Sequence, residues 1–383
     1  MKKWNKLIVF SIITVLLFAI VPQKAAANVS VSARNAILIE QESGRILYEK
    51  AANDQNRIAS ITKIMTAVLA IESGKLEDMV KISESAVKAE GSSVYLKPGE
   101  EVKLEDLVYG LMLRSGNDAA VAIAEYVGGS LDGFVYLMNQ KADEIGMKNT
   151  RFANPHGLDD HENHLSTAFD MAILTRYAME NETYQKIVGT EVHRAPNPTE
   201  SWDRVWKNKN RLLTGLYKYT TGGKTGYTKR AKRTLVSSAS KDNLDLIAVT
   251  LNGPDDWNDH IQMYENGFDH YQKVEVLSKG TIEKIEDDFY KGKVYLHSAF
   301  TYPVTKEEKG SFEVEYKLIK PKEDWEDHAR VPEIVGKAVV YFENEKVKSL
   351  PIFYQQPERK ENQSFFDYFR SLFTSIVGVR TDD

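Results

Sequence analysis

Apolar residues Ile61, Ile64, Met65, Val68 and Leu69 recur at steps of three and four, the spacing of a buried amphipathic helix, and Ser73-Gly74 supplies its stop. Ahead of it, Ala36-Ile37-Leu38-Ile39 and Ile46-Leu47-Tyr48 flank Glu42-Ser43-Gly44, which predicts a β-hairpin. Helical periodicity returns at Leu104, Leu107, Val108, Leu111 and Met112, breaks at Ser115-Gly116-Asn117, and resumes over 119–127. Further helices are predicted over 132–145, stopped by Gly146, and over 167–180. Two strand-like runs, 234–238 and 246–250, flank the turn-forming Asp242-Asn243, and an aromatic-rich helix over 257–271 closes this region. Hairpin, helices and hairpin in that order predict an α+β fold, a largely antiparallel sheet covered by helices.

The pattern shifts after Lys279. Phe312, Val314, Tyr316 and Leu318 alternate with Glu313, Glu315 and Lys317, the period of a half-buried strand, and 339–342 and 347–354 flank Glu343-Asn344-Glu345 as another hairpin. Residues 28–279 therefore read as one domain and 280–355 as a small all-β domain. At the start, Lys2, Lys3 and Lys6 precede a mainly apolar run over 7–21 and then Ala25-Ala26-Ala27. That is the layout of a secretory signal peptide over residues 1–27, and the run is short for a membrane span. In the tail, 356–383, residues Phe365, Phe366, Phe369, Leu372, Phe373, Ile376 and Val377 form one helical stripe, with Asp367, Arg370, Ser371 and Thr374 opposite. Residues 364–378 are expected to lie in a membrane interface; docking on the β domain is the other use of such a stripe.

Composition narrows the function classes. With 42% hydrophobic and 27% charged residues in 383, the chain is globular and long enough for two domains. Residues 1–27 hold four lysines and no acidic residue, so without them the net charge falls from −5 to −9, which argues against a nucleic-acid partner. The absence of cysteine excludes disulfides, a thiol nucleophile and thiolate-bound metal.

The chemistry that remains begins with Ser60. Lys63, three residues on, lies over the same helical face, an amine placed to take the hydroxyl's proton, with helix-start N–H groups nearby for an oxyanion. The pattern alone is weak. Ser-x-x-Lys recurs at Ser85–Lys88 and Ser238–Lys241, and Ser60 also reads as an N-cap beside a solvated lysine. Two further motifs change this. Ser115-Gly116-Asn117 sits at a break between helices, where a loop can aim side chains into a cleft. Lys224-Thr225-Gly226 follows Gly222-Gly223, on or beside an edge strand. The three in this order are the set found in penicillin-binding proteins and β-lactamases.

With those motifs, the stretches 113–120, Asn154-Pro155-His156-Gly157-Leu158-Asp159 and 222–226 make the chain, from about Ser32 to the tail, resemble the D-alanyl-D-alanine carboxypeptidases. These are low-molecular-weight penicillin-binding proteins, serine peptidases of type S11. Gly128-Gly129-Ser130-Leu131-Asp132-Gly133-Phe134 is most similar to the sporulation-type enzyme of endospore-forming bacteria. The resemblance implies a β-lactamase-like first domain and a β-rich second one. It implies that Ser60 attacks the carbonyl between the last two D-alanines of a peptidoglycan stem pentapeptide, forming an acyl-enzyme, while Lys63 accepts its proton. Ser115 would relay a proton to the leaving amine, Asn117 would hold the substrate backbone, and Lys224, Thr225 and Gly226 would take the terminal carboxylate. The N–H groups of Ser60 and Tyr227 would form the oxyanion hole. It further implies β-lactams as covalent inhibitors, no cofactor or metal, and a site of action outside the cytoplasm, at the membrane face or wall. There, trimming would regulate cross-linking, of spore cortex in the sporulation type. Where many relatives carry an arginine for the carboxylate, 252–256 reads Asn-Gly-Pro-Asp-Asp, leaving Lys224 and Thr225 alone or helped by Arg233.

A lysine base must be uncharged. With Lys224 assumed about 4 Å from Lys63 at an effective dielectric near 20, repulsion of about 4 kcal/mol lowers its pKa by roughly three units, which is expected to suffice without deep burial. Three other readings compete. A β-lactamase usually needs a glutamate-held water, and there is no Glu-x-x-Leu-Asn run. A metallopeptidase on His156, Asp159, His161, Glu162 and His164 lacks the four-residue histidine step. An inert wall-binding scaffold would not need all three motifs intact.

Overall fold

The computed structural model describes residues 29–326 and 330–356; the expected signal peptide and the tail stripe at 364–378 lie outside the described residues. The chain separates into two compact units between Lys273 and Val274. That is earlier than the expected 279/280, because Val274, Val276 and Leu277 already pack into the second core.

Among the described residues the first unit has the strands β1 (Asn35–Glu40), β2 (Ile46–Lys50), β3 (Met79–Lys81), β4 (Glu101–Lys103), β5 (Val192–Ala195), β6 (Arg204–Lys207), β7 (Thr220–Thr228), β8 (Lys232–Lys241) and β9 (Leu244–Leu251). Five of them form an antiparallel sheet in the order β2-β1-β9-β8-β7, and β3–β4 and β5–β6 are separate hairpins. Its helices are α1 (Lys63–Glu72), α2 (Glu84–Val87), α3 (Leu104–Tyr109), α4 (Asn117–Gly128), α5 (Leu131–Glu144), α6 (Ala168–Ala178), α7 (Glu182–Val188) and α8 (Asp256–His270). The central strands are buried on both faces, and strict alternation sorts their side chains. Ile37, Ile39, Val236, Ile247 and Val249 join the core shared with α1 and α3–α6, whereas Leu38, Leu235, Leu246 and Ala248 pack on Met263 and Tyr264 of α8. Helices thus cover both faces of the expected sheet. The turn at Asp242-Asn243 has φ of +52° and +63°, the geometry of a two-residue hairpin turn.

Register carries the fold into the site. Ile37 pairs with Val249, Val249 with Val236, and Val236 with Lys224. Paired residues share a face, so this row delivers Lys224, on edge strand β7, to the helical side.

In the second unit, β10 (Gln272–Leu277) pairs with β13 (Phe300–Val304), and a five-stranded sheet runs in the order β11-β12-β16-β15-β14. Its strands are β11 (Gly280–Thr281), β12 (Val294–Leu296), β14 (Phe312–Leu318), β15 (Ile334–Phe342) and β16 (Glu345–Tyr354). The predicted hairpin turn falls at Glu343-Asn344, with φ of +48° and +68°. Tyr290, Val335, Val340 and Ile352 lie at the centre of its core.

A polar network is buried between the first unit's sheet and α8. His260 places Nδ1 2.6 Å from Ser237 Oγ and Nε2 3.0 Å from Thr250 Oγ1, and Tyr264 Oη lies 2.7 Å from Ser237 Oγ. Burial pulls the His260 pKa down to about 3, whereas in the unfolded chain it titrates near 6.5. The stability this neutral ring contributes is complete above about pH 6.5 and is lost as pH falls from there toward about 3. The unfolding midpoint should decline across that window, and the decline should be shallower in His260→Asn; an identical slope in both proteins would remove His260 as a source.

Candidate active site

Ser60 lies in a single 3-10 turn, Ala59–Thr62, ahead of α1 rather than inside it, and its side chain caps nothing. The difference from the predicted first α-turn has a geometric consequence. At three residues per turn, positions i and i+3 eclipse, so Lys63 stands directly over Ser60, with Nζ 3.0 Å from Oγ. Ala59 opens the turn at φ +48°, and three side chains fix it. Thr234 Oγ1 donates to Ile58 O at 3.0 Å, Thr62 Oγ1 donates to Ala59 O at 2.8 Å, and Thr66 Oγ1 donates to Pro155 O at 2.6 Å. Gly157, at φ +87°, packs so closely that an added Cβ would lie 1.9 Å from Ala59 O.

The surroundings of Lys63 dictate its role. The side chain is wholly buried, and Nζ lies 2.7 Å from both Asn117 Oδ1 and His156 O. Asn117 Nδ2 donates to Glu90 O, which fixes the amide oxygen toward Lys63. Both of these partners can only accept. A neutral amine has two N–H bonds and one lone pair; with both N–H bonds directed at those oxygens, the lone pair is left for the Ser60 hydroxyl.

Ser115 ends a widened π-turn, Gly110–Arg114, at φ +65°, which stops α3 and lets α4 start at Asn117. Ser115 Oγ accepts from Lys224 Nζ at 3.0 Å, and Lys224 Nζ also donates to Thr225 O at 2.7 Å. Glycine at 226 lets β7 abut the turn, since a Cβ there would fall 2.9 Å from Ser60 N. This brings the backbone of Gly226 beside that of Ser60; Tyr227, the next residue of β7, is 63% exposed. Asn210 Nδ2 steadies the strand by donating to Gly222 O at 3.2 Å. Asp118 steadies the opposite wall, accepting from Ser93 Oγ at 2.6 Å, Val94 N at 3.0 Å and Leu96 N at 3.2 Å.

Electrostatics separates the two amines. Burial lowers the Lys63 pKa well below 10.5, with the Lys224 and Lys209 charges adding to the effect and Asp118 opposing it. Lys224 is pulled down to about 7, by burial first and Lys209 second. The Lys224 charge thus adds to burial in disfavouring the charged form of Lys63. The expectation that repulsion alone activates Lys63 is corrected: desolvation is the larger cause.

The sequence profile of the peptidase S11 family, the D-alanyl-D-alanine carboxypeptidases, matches residues 22–255. The chain belongs to this family. A second profile, the C-terminal domain of penicillin-binding protein 5, matches residues 271–359. The D-alanyl-D-alanine carboxypeptidase DacF of Bacillus subtilis is 38% identical over 273 residues, 69% of each chain. The crystal structure of penicillin-binding protein 5 from Haemophilus influenzae superposes with a TM-score of 0.69 at 27% identity, covering 85% of this chain and 97% of that one. A variant of the Streptomyces K15 DD-transpeptidase reaches 0.59 at 30% identity, over 63% of this chain and 99% of that one.

In this S11 chain, Ser60, Lys63, Ser115, Asn117, Lys224, Thr225 and Gly226 converge as the motifs suggested, whereas the other two Ser-x-x-Lys pairs fall on the short helix α2 and on β8. Arg233 is not at the cluster. It pairs with Tyr227 across β7–β8, three positions along from the Lys224 row and hence on the other face. There its guanidinium lies 2.5 Å from Asp256 Oδ1 and 5.5 Å from the Trp257 ring centre. The residues weighed for metal are otherwise engaged. His164 Nε2 is 2.8 Å from Thr62 Oγ1, its Nδ1 accepts from Ala153 N, and Glu162 bridges Arg57 and Arg230. Lys209, which no motif marks, reaches Ser92 Oγ at 3.4 Å, and the carbonyl of His156 is equally invisible to side-chain patterns.

Two outcomes follow from this geometry. Gly157→Ala should displace the Ser60 turn, slowing acylation by penicillin at least about tenfold and costing about 1–3 kcal/mol of stability, as read by stopped-flow kinetics and urea melts. Lys209→Met removes a repelling charge from both amines, so their pKa values rise. The acid limb of the acylation pH profile should move to higher pH, and an unmoved limb would show that Lys209 does not act on Lys63.

Proposed function

We propose that this chain is a serine-type D-Ala-D-Ala carboxypeptidase that trims the terminal D-alanine from peptidoglycan stem pentapeptides. The observation that carries the reading is the Lys63 amine, buried, depressed in pKa, and with two carbonyl acceptors that leave its lone pair for Ser60 Oγ. Ser60 Oγ attacks the penultimate D-alanine carbonyl as its proton passes to Lys63. The developing oxyanion is held by the N–H groups of Ser60 and Tyr227. Lys224, in its protonated form, takes the terminal carboxylate with Thr225 and Gly226. Its contact with Ser115 Oγ (3.0 Å) gives a path for a proton toward the leaving amine. Asn117 holds both Lys63 and the loop at Glu90, and so aligns the peptide backbone. Water then releases the acyl group. Penicillin, a mimic of the same terminus, stalls at the acyl stage.

The likeness to a DD-transpeptidase favours one second reading, in which an amine rather than water accepts the acyl group. We also place the enzyme outside the cytoplasm, exported by residues 1–27 and held peripherally at the membrane by 364–378.

Incubation with a stem pentapeptide, with and without an added glycine acceptor, should release free D-alanine at similar rates and yield mainly tetrapeptide. Mainly glycine-exchanged product would establish the transpeptidase. Mass spectrometry of penicillin-treated protein should place the adduct on the Ser60 peptide and nowhere in Lys63→Ala; an adduct elsewhere would overturn the mechanism. Deleting residues 361–383 should move the protein from the membrane to the soluble fraction.

A further inference from the structure

Beside the catalytic cluster, a groove of about 540 Å³ runs between the loop 93–97 and the β5–β6 hairpin. We propose that it binds the amino-sugar rings of the glycan strand to which the stem peptide is attached. Two independent features point to a ligand there.

The first is a buried donor. Arg204 is 9% exposed, and its Nη2 lies 2.9 and 2.8 Å from the two carboxylate oxygens of Glu100. Its Nη1 is buried, with no hydrogen-bond partner among the described residues, and the side chain lines the groove. A buried N–H of this kind calls for an acceptor, which a hydroxyl or acetamido oxygen seated in the groove supplies once the guanidinium turns toward it.

The second is a pair of exposed aromatic faces. Tyr95 is 83% exposed and Trp202 64% exposed, and both line the groove. Tyr95 is held outward by construction. Its backbone sits at φ +62°, its N–H donates to Ser93 Oγ at 2.8 Å, and Asp118 grips Ser93, Val94 and Leu96 around it. Strain of this sort persists where surrounding structure imposes it, and it clusters at functional sites. Flat aromatic faces suit the C–H faces of pyranose rings, and the planar polar groups of Asn197, Glu200 and Arg204 suit their hydroxyl and acetamido substituents.

Lys97 is matched by Glu200 at 2.8 Å and Arg204 by Glu100, while Arg114 and Lys207, also on the groove walls, have no carboxylate partner among the described residues and are free to donate to sugar oxygens. Position agrees. Arg114, on the groove wall, immediately precedes Ser115, and five extended residues reach up to about 17 Å, so a stem peptide at Ser60 is long enough to carry its sugar to a groove that begins beside Ser115.

The identity of the polymer rests on the carboxypeptidase reading; the binding does not, and it is measured separately. The probe is chitotetraose, a soluble N-acetylglucosamine tetramer with no peptide, titrated by calorimetry into the full chain and into Trp202→Ala and Tyr95→Ser. Wild type should bind, each variant should lose about tenfold or more in affinity, and all three should be acylated by penicillin at the same rate. D-alanine release from a disaccharide-pentapeptide should fall in the variants while release from the sugar-free pentapeptide holds. No binding by wild type, or equal binding by all three, would overturn the groove assignment. Binding without D-alanine release from either substrate would uphold the groove and sink the carboxypeptidase.

Discussion

Two lysine amines are buried in one cluster, and among the described residues no carboxylate is committed to either. Lys63 is 0% and Lys224 1% exposed, and the buried acid nearest in effect, Asp118, spends its oxygens on Ser93, Val94 and Leu96. Water solvates an ammonium far better than this interior does, so the fold taxes each positive charge. For Lys224, lowered to about 7 from 10.5, holding the group at neutral pH costs roughly 4 kcal/mol against the unfolded chain. That is a large fraction of a domain's net stability, and it is borne by the dense core of sheet and helices around the pair.

The same packing accounts for the strain. Ala59 and Ser115 have positive φ without being glycine, and each sits in the ring of groups around Lys63. Each is over-determined: Ala59 by Thr62, Gly157 and the neighbouring Ile58–Thr234 bond, and Ser115 by the π-turn and Lys224. Relaxing either would move an oxygen or a nitrogen whose contact is now close to 3 Å. Such positions can hold only where segments distant in sequence lock one another, as the 154–157 loop and the Ser60 turn do.

Much of this was legible in the sequence, for identifiable reasons. The nearly continuous apolar run over 246–250 and the turn pair Asp242-Asn243 defined β8–β9 because both strand faces are buried. The three short motifs located the catalytic cluster because its side chains must be of those types. The rest was hidden where backbone does the work. Nothing in Ala59-Ser60 announces a 3-10 turn, since its cause is Gly157, far along the chain. The four-residue strands β5 and β6 are too short to display a period. Lys209 and the His156 carbonyl act through position alone. The mistaken weight on repulsion had the same origin: pairwise charge can be assumed from sequence, whereas burial belongs to the fold.

The two amines also explain why a carboxylate-terminated ligand suits this cluster. Burial depresses both amines, and the Lys224 charge depresses Lys63 further, so one proton between them is favoured over two. A carboxylate in contact with Lys224 stabilises the proton there more than on the more distant Lys63, since the attraction falls with separation. Binding therefore selects the protonation state in which Lys63 is neutral and facing the Ser60 hydroxyl, and the pair titrates as a unit rather than as two independent sites. An amine buried alone would be neutral but indifferent to its ligand; a second amine beside it makes the ligand's own charge set the base.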